Sequence, residues 1–301
     1  MAYRLLSHVS NGQPRGGVLV NDTVYDLPRP WSSVLALLQD WPKAKSALAK
    51  FAKAPKGKGT PLKKAKLLAP ILYPGNIYCA GANYRDHVAE MDRAQGREPG
   101  PTMKERGEKP WHFVKTSRSS VVGPLAKVRL PAFSKAVDWE VELAAVIGKR
   151  AKDVSVEKAL GCVAGYTIAN DLSARDAMKR ELNPPASPFH YDWVSQKCFD
   201  GACPLGPWIV PAGEIRDPHQ LGIRLWLDDE LMQDSNTGQM IFDTAEQSAM
   251  LSSRVTLHPG DVILTGTPAG VGMGRKRFLK PGERVRLWVE DIGELVHTVA
   301  D

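Results

Sequence analysis

The sequence predicts an α+β protein in which β-strands dominate. Five apolar or alternating stretches of strand length are separated by turn-forming residues, whereas helical patterns are few and short. A doubly wound nucleotide-binding fold would need more long helices, which makes it a poor match. With 43% hydrophobic and 24% charged residues among 301, the composition is that of a folded globular chain and excludes disordered and fibrous classes.

The first element is a small N-terminal domain of mixed α+β structure, predicted to span residues 1–68. Its apolar runs flank Asn11-Gly12, a good former of hairpin turns, and a helical pattern follows from Trp31 to Phe51. Prolines and glycines after that pattern indicate a linker. We therefore expect a small β meander, a helix and then a boundary near Leu68.

The basic charge of the chain is concentrated in this linker region. Residues 41–66 contain nine lysines and no acidic residue, although the whole chain has a net charge of only +7. A non-catalytic polyanion-binding protein is therefore a low-ranked alternative. Nucleic acid is not expected as a partner, because Phe51 is the single aromatic residue placed to stack on bases among these lysines.

The second element, predicted over residues 69–301, is a larger, strand-rich domain. Its strands are expected at residues 141–148, 163–170, 223–227, 261–266 and 284–290. Short helices are expected at 155–161 and over 173–182, directly after Asp171. A polar stretch rich in glycine and proline, residues 91–110, is predicted to be a mobile loop or lid.

Three carboxylates lie at the ends of two of these strands. Glu140 and Glu142 alternate along a strand and therefore share a face, and Asp171 closes the apolar run of residues 163–170. Acids that converge in a cleft need a cation, and three carboxylates without Cys or His suit Mg²⁺ or Mn²⁺, with Ca²⁺ possible as well. A solvated strand face for the two glutamates and a helix N-cap for Asp171 remain the structural alternatives.

A histidine and a glutamate form the second chemical pattern. His87 and Glu90 are spaced i and i+3, so a helix would bring the imidazole and the carboxylate together on one face. Such a pair can act as a general base towards water. A surface ion pair is the alternative explanation of the same spacing.

These residues belong to a series of motifs that resembles the fumarylacetoacetate hydrolase superfamily, from about residue 70 to the C-terminus. In chain order the motifs are GANYRDHVAEM, WHFVKTSRSS, DWEVELAAVIGKRAKDVS, GYTIANDLSARD, QKCFDGACPLGPWIV and LTGTPAGVG. The resemblance implies the mixed β-sandwich roll of that family, a homodimer, and Glu140, Glu142 and Asp171 as metal ligands.

The resemblance also implies roles for six further residues. Catalysis is expected from His87, Glu90 and Lys197, and substrate binding from Arg175, Thr267 and Tyr84. One position departs from the family pattern, because Met178 stands where many members carry a substrate-contacting glutamine. His190, Tyr191 and Trp193 either line the distal pocket or pack in the core.

The expected activity is metal-dependent hydrolysis of a carbon-carbon bond in a 2,4-diketo acid of the acylpyruvate or fumarylpyruvate type. Pyruvate and a carboxylic acid would be the products. Decarboxylation of oxaloacetate, or isomerisation or hydration of a 2-oxo-diene dioate, would use the same enolate chemistry. The expected partner is a small anionic 2-oxo acid rather than a membrane, and the N-terminus predicts a cytoplasmic location.

Overall fold

The computed structural model describes residues 2–300 and is built mainly from β-strands. The strands are β1 (Arg4–Ser10), β2 (Gln13–Val20), β3 (Thr23–Asp26), β4 (Thr60–Pro61), β5 (Leu67–Leu68), β6 (Ile77–Ala80), β7 (His112–Lys115), β8 (Val121–Val122), β9 (Lys127–Arg129), β10 (Val137–Asp138), β11 (Val141–Ile147), β12 (Val163–Asn170), β13 (Ser173–Ala174), β14 (Cys203–Pro211), β15 (Gly222–Leu227), β16 (Glu230–Asn236), β17 (Val262–Leu264), β18 (Arg284–Val289) and β19 (Gly293–Ala300). The five strands predicted from the sequence lie among them, each displaced by at most two residues at an end.

The helices are short and lie between the strands. They are α1 (Val34–Gln39), α2 (Trp41–Lys53), α3 (Arg85–Ala94), α4 (Ser117–Ser120), α5 (Val156–Ala159), α6 (Trp193–Lys197), α7 (Thr244–Arg254) and α8 (Gly272–Arg275). The longest, α2, buries an apolar stripe that includes Trp41 and Leu48 and ends in lysines that face solvent. None of the helices within residues 2–300 combines the length and the apolar character needed to cross a membrane.

The strands of residues 2–300 form two large sheets and one small one. The large mixed sheet has the order β4-β3-β2-β1-β14-β12-β11-β17-β6-β7, with β5 against β1 and β8 against β14. The second sheet has the order β16-β15-β18-β19-β9, and its strands β15 and β18 contact β11 and β12 of the first. Apolar side chains of both sheets fill the layer between them, including Leu143, Ile168, Leu225 and Leu287. This mainly β, mixed-sheet architecture confirms the predicted fold class.

The N-terminal residues are connected to the rest of the fold through this sheet. β1, β2 and β3 form an antiparallel meander, and Leu5 of β1 pairs with Ile209 of β14. Leu5 and Ile209 are fully buried in a core that also contains Leu37 and Leu38 of α1. The division into domains of residues 1–68 and 69–301 stays a prediction.

One expected helix is wrong, and its residues belong to the site. Over residues 173–182, Ser173 and Ala174 pair with β10 as a short strand, and only Arg175–Ala177 forms a 3-10 turn. Tertiary contacts override the local helix propensity here. The Arg175 side chain bonds the carboxylates of Asp138 and Glu140, and these bonds hold the backbone in a non-helical conformation.

The polar stretch at residues 91–110 is only partly irregular. Helix α3 continues to Ala94, and residues 95–111 form turns without helix or strand. Lys104 of this stretch lies 2.6 Å from Glu246 of α7, an ion pair that fastens the loop to the body of the protein. Its role as a lid stays a prediction.

Candidate active site

The three strand-end carboxylates converge in the interior. Glu142 lies on β11 and Glu140 directly precedes it, while Asp171 follows β12, the neighbouring antiparallel strand. The backbone N–H of Asp171 donates to the carbonyl oxygen of Glu140 at 2.9 Å, which ties the two strand ends together. One oxygen from each of the three side chains lies within 4.8 Å of the others, and all three residues are buried.

This cluster fits a divalent cation. The Oε1 atom of Glu142 is buried and has no hydrogen-bond partner within residues 2–300, while its Oε2 accepts from the N–H of Gly266 at 2.7 Å. Burial raises the pKa of Glu142 well above its usual value, and the charges of Asp171 and Glu140 add to the rise. Hard oxygen donors with uncompensated negative charge are the ligands that Mg²⁺, Mn²⁺ and Ca²⁺ prefer.

Two buried lysines neutralise part of this charge. Lys197 of α6 places its Nζ 2.8 Å from Asp171 Oδ2 and 3.1 Å from Glu140 Oε2. Burial alone would lower the pKa of Lys197, but the negative charges of Asp171 and Glu140 raise it instead. Lys115 of β7 bonds the other oxygen of Asp171 at 2.6 Å, and both side chains are fully buried.

Arg175 completes the cationic side of the cluster. Its Nη2 donates to Glu140 Oε1 at 2.6 Å and its Nε donates to Asp138 Oδ2 at 2.9 Å. Burial alone would raise the pKa of Glu140, but the charges of Lys197 and Arg175 lower it to about 2. Glu140 is therefore an ionised carboxylate across the physiological pH range.

The glycine-rich segment Gly266–Arg275 holds acids rather than phosphates. The N–H of Gly266 donates to Glu142, the N–H of Gly270 donates to both oxygens of Glu90 at 3.0 Å, and the N–H of Gly272 donates to Asp138 at 2.6 Å. Gly266 and Gly270 have φ values of 101° and 102°, a backbone region that favours glycine. The segment thus fixes three carboxylates around the site.

His87 and Glu90 both lie on α3, as their spacing predicts. His87 Nδ1 is 3.5 Å from Glu90 Oε2, within ion-pair range but outside hydrogen-bond geometry. Burial alone would raise the pKa of Glu90, and its contacts with His87 and with the N–H of Gly270 lower it. The carboxylate of Glu90 is therefore charged and fixed, and the His87 side chain is 14% exposed beside it.

A cleft of about 220 Å³ opens onto these groups. Its titratable lining residues are His87, Glu140, Arg175 and Lys197, so two cations and one imidazole face the same space as a carboxylate. The remaining lining residues are apolar, aromatic or polar without charge: Ala80, Gly81, Ala82, Trp111, Phe113, Met178, Trp193, Gln196 and Thr267. A small anion with an apolar or neutral end matches this division.

The two other residues expected to bind substrate, Thr267 and Tyr84, differ in their position relative to the cleft. Thr267 lines the cleft, but its hydroxyl already donates to the Val141 carbonyl and accepts from Gln233, both at 2.9 Å. Tyr84 is fully buried at the start of α3 and is not part of the cleft lining. Burial raises the pKa of the Tyr84 hydroxyl, and neighbouring Glu142 raises it further. Their roles in substrate binding stay predictions.

The three aromatic residues of the long segment before Lys197 separate into two groups. Trp193 lines the cleft and stacks on Phe113, with ring centroids 5.4 Å apart and an interplanar angle of 19°. His190 packs inside its own loop, where its Nδ1 lies 2.8 Å from the Asn183 carbonyl oxygen. Tyr191 stacks edge-on against His190, outside the cleft lining.

Sequence reasoning missed three residues that the fold brings to the site. Lys115 and Asp138 stood in the sequence only inside longer motifs, and Gln196 only as the neighbour of Lys197. Lys115 bonds Asp171 of the carboxylate cluster, Asp138 bonds Arg175 of the cleft, and Gln196 lines the cleft directly. The sequence shows only that each of these polar residues lies in an apolar strand or next to a predicted site lysine. That pattern does not reveal which residue each of them contacts.

This combination of fold and acidic cluster agrees with comparison to known families. A sequence model described as the C-terminal domain of fumarylacetoacetate (FAA) hydrolase matches residues 76–300. That match covers well over half of the chain, and the chain belongs to this family. Members of the family are enzymes, and we conclude that this chain is an enzyme as well.

Particular relatives are similar over nearly the whole chain. The human protein named oxaloacetate tautomerase FAHD2B, mitochondrial, is 39% identical over 294 residues, which cover 97% of this chain and 87% of that protein. The structure of maleylpyruvate hydrolase from Sphingobium sp. SYK-6, in complex with manganese(II) and pyruvate, matches with a TM-score of 0.75 and 28% identity, covering 99% of this chain and 98% of that one. The 2-hydroxyhepta-2,4-diene-1,7-dioate isomerase from Mycobacterium marinum matches with a TM-score of 0.74 and 31% identity, covering 99% and 98%.

Proposed function

We propose that the chain is a divalent-metal-dependent oxaloacetate tautomerase, which moves a proton between C3 and the C2 oxygen of a small 2-oxo acid. One observation carries the proposal: an imidazole, a lysine and an arginine line one small cleft beside three buried carboxylates. The similarity to the human oxaloacetate tautomerase supports the choice of substrate.

The residues that would hold the ion are Glu140, Glu142 and Asp171. When bound there, Mg²⁺ or Mn²⁺ supplies positive charge that stabilises the enolate form of a 2-oxo acid. The manganese in the related maleylpyruvate hydrolase supports Mn²⁺, and the oxygen ligands suit Mg²⁺ equally.

The side chains of the cleft supply the remaining chemistry. Arg175 and Lys197 attract the carboxylate and the oxygen that becomes negative, because both cations are already placed within the cleft. His87 carries the proton, taking it from the enol oxygen and delivering it to C3 in one direction, and reversing these steps in the other. Glu90, fixed by the Gly270 N–H, orients His87 and stabilises its protonated form.

The test is the rate at which enol-oxaloacetate converts to the keto form, followed by loss of the enol absorbance. Wild-type protein with Mg²⁺ or Mn²⁺ should accelerate the conversion, and a chelator should abolish the effect. His87→Ala should lower kcat by roughly 10²- to 10⁴-fold, the usual contribution of a general acid-base group. The matched control is His258→Ala at an exposed histidine, which should retain full activity. Equal rates in both variants would refute the role of His87.

Hydrolysis of an acylpyruvate or fumarylpyruvate, the activity that the sequence alone ranked first, is the second candidate. The His87 and Glu90 pair favours it, because a fixed carboxylate next to an imidazole also suits activation of water. Product analysis by NMR separates the possibilities. Pyruvate plus a carboxylic acid from acetopyruvate indicates hydrolysis, and pyruvate plus carbon dioxide from oxaloacetate indicates decarboxylation. A rearranged or hydrated 2-oxo-diene dioate indicates the isomerase or hydratase alternative.

Assembly and location are also proposals. We expect a homodimer, which sedimentation velocity would test. The cytoplasmic location expected from the N-terminus contrasts with the mitochondrial name of the human relative, and microscopy of a C-terminally tagged protein would decide between the two.

A further inference from the structure

Helix α6 delivers three side chains to one cleft. Trp193, Gln196 and Lys197 are spaced i, i+3 and i+4, which places them on the same face of the helix, and all three line the cleft. Asp192 fixes the start of the helix, since its carboxylate accepts from both the N–H and the hydroxyl of Ser195 at 2.9 Å. Lys197 is bonded to the carboxylate cluster, and its Nζ also lies 4.7 Å from the ring centroid of Phe113, on which Trp193 stacks.

Gln196 has an unused polar atom at this position. Its side chain is 1% exposed, yet its Oε1 has no hydrogen-bond partner in the described part of the chain. Buried polar atoms in folded proteins are nearly always paired, and an unpaired one is costly. Because Gln196 lines the cleft, a hydroxyl or N–H group of a bound molecule can donate the missing hydrogen bond to Oε1.

The cleft that Gln196 lines also has an aromatic wall made of Trp111, Phe113 and Trp193. The ring of Trp193 is stacked on Phe113, and the ring of Trp111 meets Trp193 edge-on at 4.9 Å and 60°. Trp111 also lies directly over the backbone of Gly81, where a Cβ atom would collide with its ring. The wall is therefore fixed from both sides, and a fixed aromatic surface favours a planar group against it.

We propose that Gln196 and Trp193 form a subsite beyond the groups that bind C1 and C2, one that accepts an uncharged, planar, hydroxyl-bearing group and so extends the ligands of the cleft from oxaloacetate to 2,4-dioxo acids. The titratable lining residues are His87, Glu140, Arg175 and Lys197, and the aromatic wall and Gln196 add no charge to them. The enol form of a 2,4-dioxo acid has the required shape, with its C4 enol hydroxyl donating to Gln196 Oε1 and its conjugated plane against Trp193. The inference rests on the proposed function for the binding of the C1 carboxylate and C2 oxygen.

The experiment compares two ligands in the Mn²⁺-loaded protein. Oxalate mimics only the C1 and C2 end, whereas acetopyruvate adds the planar distal group. Dissociation constants are measured by calorimetry in a His87→Ala background, so that acetopyruvate is not consumed. Gln196→Leu and Trp193→Leu are the test variants. Val194→Ala is the control on the same helix, because the Val194 side chain is 69% exposed.

Gln196→Leu should raise the dissociation constant of acetopyruvate about tenfold, and Trp193→Leu should raise it by a similar factor. The dissociation constant of oxalate should change less than about twofold in both variants. Val194→Ala should leave both ligands unaffected. Unchanged acetopyruvate affinity in Gln196→Leu would overturn the subsite. An equal loss of affinity for oxalate would overturn it too, because it would show general damage to the site. If the parent protein does not bind oxalate, the proposed function itself is wrong and the subsite is rejected with it.

Discussion

Lys115 is a buried cation whose removal should lower the stability of the fold. Its Nζ bonds Asp171 Oδ1 at 2.6 Å and the Leu172 carbonyl oxygen at 2.9 Å, and its side chain is 0% exposed. Removing one partner from a buried ion pair costs about 3–5 kcal/mol, because the other charge is left uncompensated. Asp171 keeps its second bond, to Lys197, which places the expected loss for Lys115→Met near the lower end, about 3 kcal/mol.

The measurement is urea unfolding followed by tryptophan fluorescence, with a chelator present so that no metal compensates for the lost charge. The m-value should be unchanged, so that the midpoint alone reports the loss of stability. Lys127→Met on β9 is the control, since Lys127 is exposed and surface substitutions change stability by about 0.5 kcal/mol or less. A loss in Lys115→Met no larger than in this control would refute the structural role of the buried pair.

Three further predictions concern protons and positioning. Mn²⁺ binding should release protons, because burial and the charges of Asp171 and Glu140 raise the pKa of Glu142 and the metal binds its ionised form; calorimetry in buffers of different ionisation enthalpy should detect the release, and Glu142→Gln should abolish both binding and release. Burial lowers the pKa of His297 to about 3, so the unfolded chain binds the extra proton and stability falls as pH drops below about 6.5. The stability of His297→Gln should therefore fall less between pH 6.5 and 4, by an amount of the order of 3 kcal/mol in denaturant titrations; parallel pH profiles would contradict this. Asp138→Asn should raise KM for oxaloacetate roughly tenfold by loosening Arg175, with a smaller effect on kcat, and a pure loss of kcat would argue against this positioning role.

The fold was predictable because strand-forming patterns are local. β11 and β12 are largely apolar strands that are buried along their whole length, and their ends bring Glu140, Glu142 and Asp171 together as the pattern predicts. The i and i+3 spacing of His87 and Glu90 is likewise a local pattern, because any helix over these residues brings the two side chains together.

The contacts that depend on distant residues were not predictable. Lys115 meets Asp171 across 56 positions of sequence, and no local pattern specifies such a pair. The helix expected over residues 173–182 failed for the same reason, because bonds from Arg175 to Asp138 and Glu140 outweigh a propensity difference of well under 1 kcal/mol per residue. Gln196 became visible as a site residue only when its unpaired oxygen could be located.

The charges of the site also imply an order of binding. Four buried carboxyl groups, those of Asp138, Glu140, Glu142 and Asp171, meet three cations within residues 2–300, those of Lys115, Arg175 and Lys197.

Burial raises the pKa of Glu142, the charges of Asp171 and Glu140 add to the rise, and a proton on Glu142 balances the charges of these seven groups when no metal is bound. Exchange of that proton for a divalent ion leaves the seven groups net positive by one charge, with cations that are already oriented. An anionic 2-oxo acid should therefore bind well only after the metal, and oxalate affinity without metal should be at least about tenfold weaker. Equal affinity for oxalate with and without Mn²⁺ would show that the lysines and the arginine alone hold the substrate.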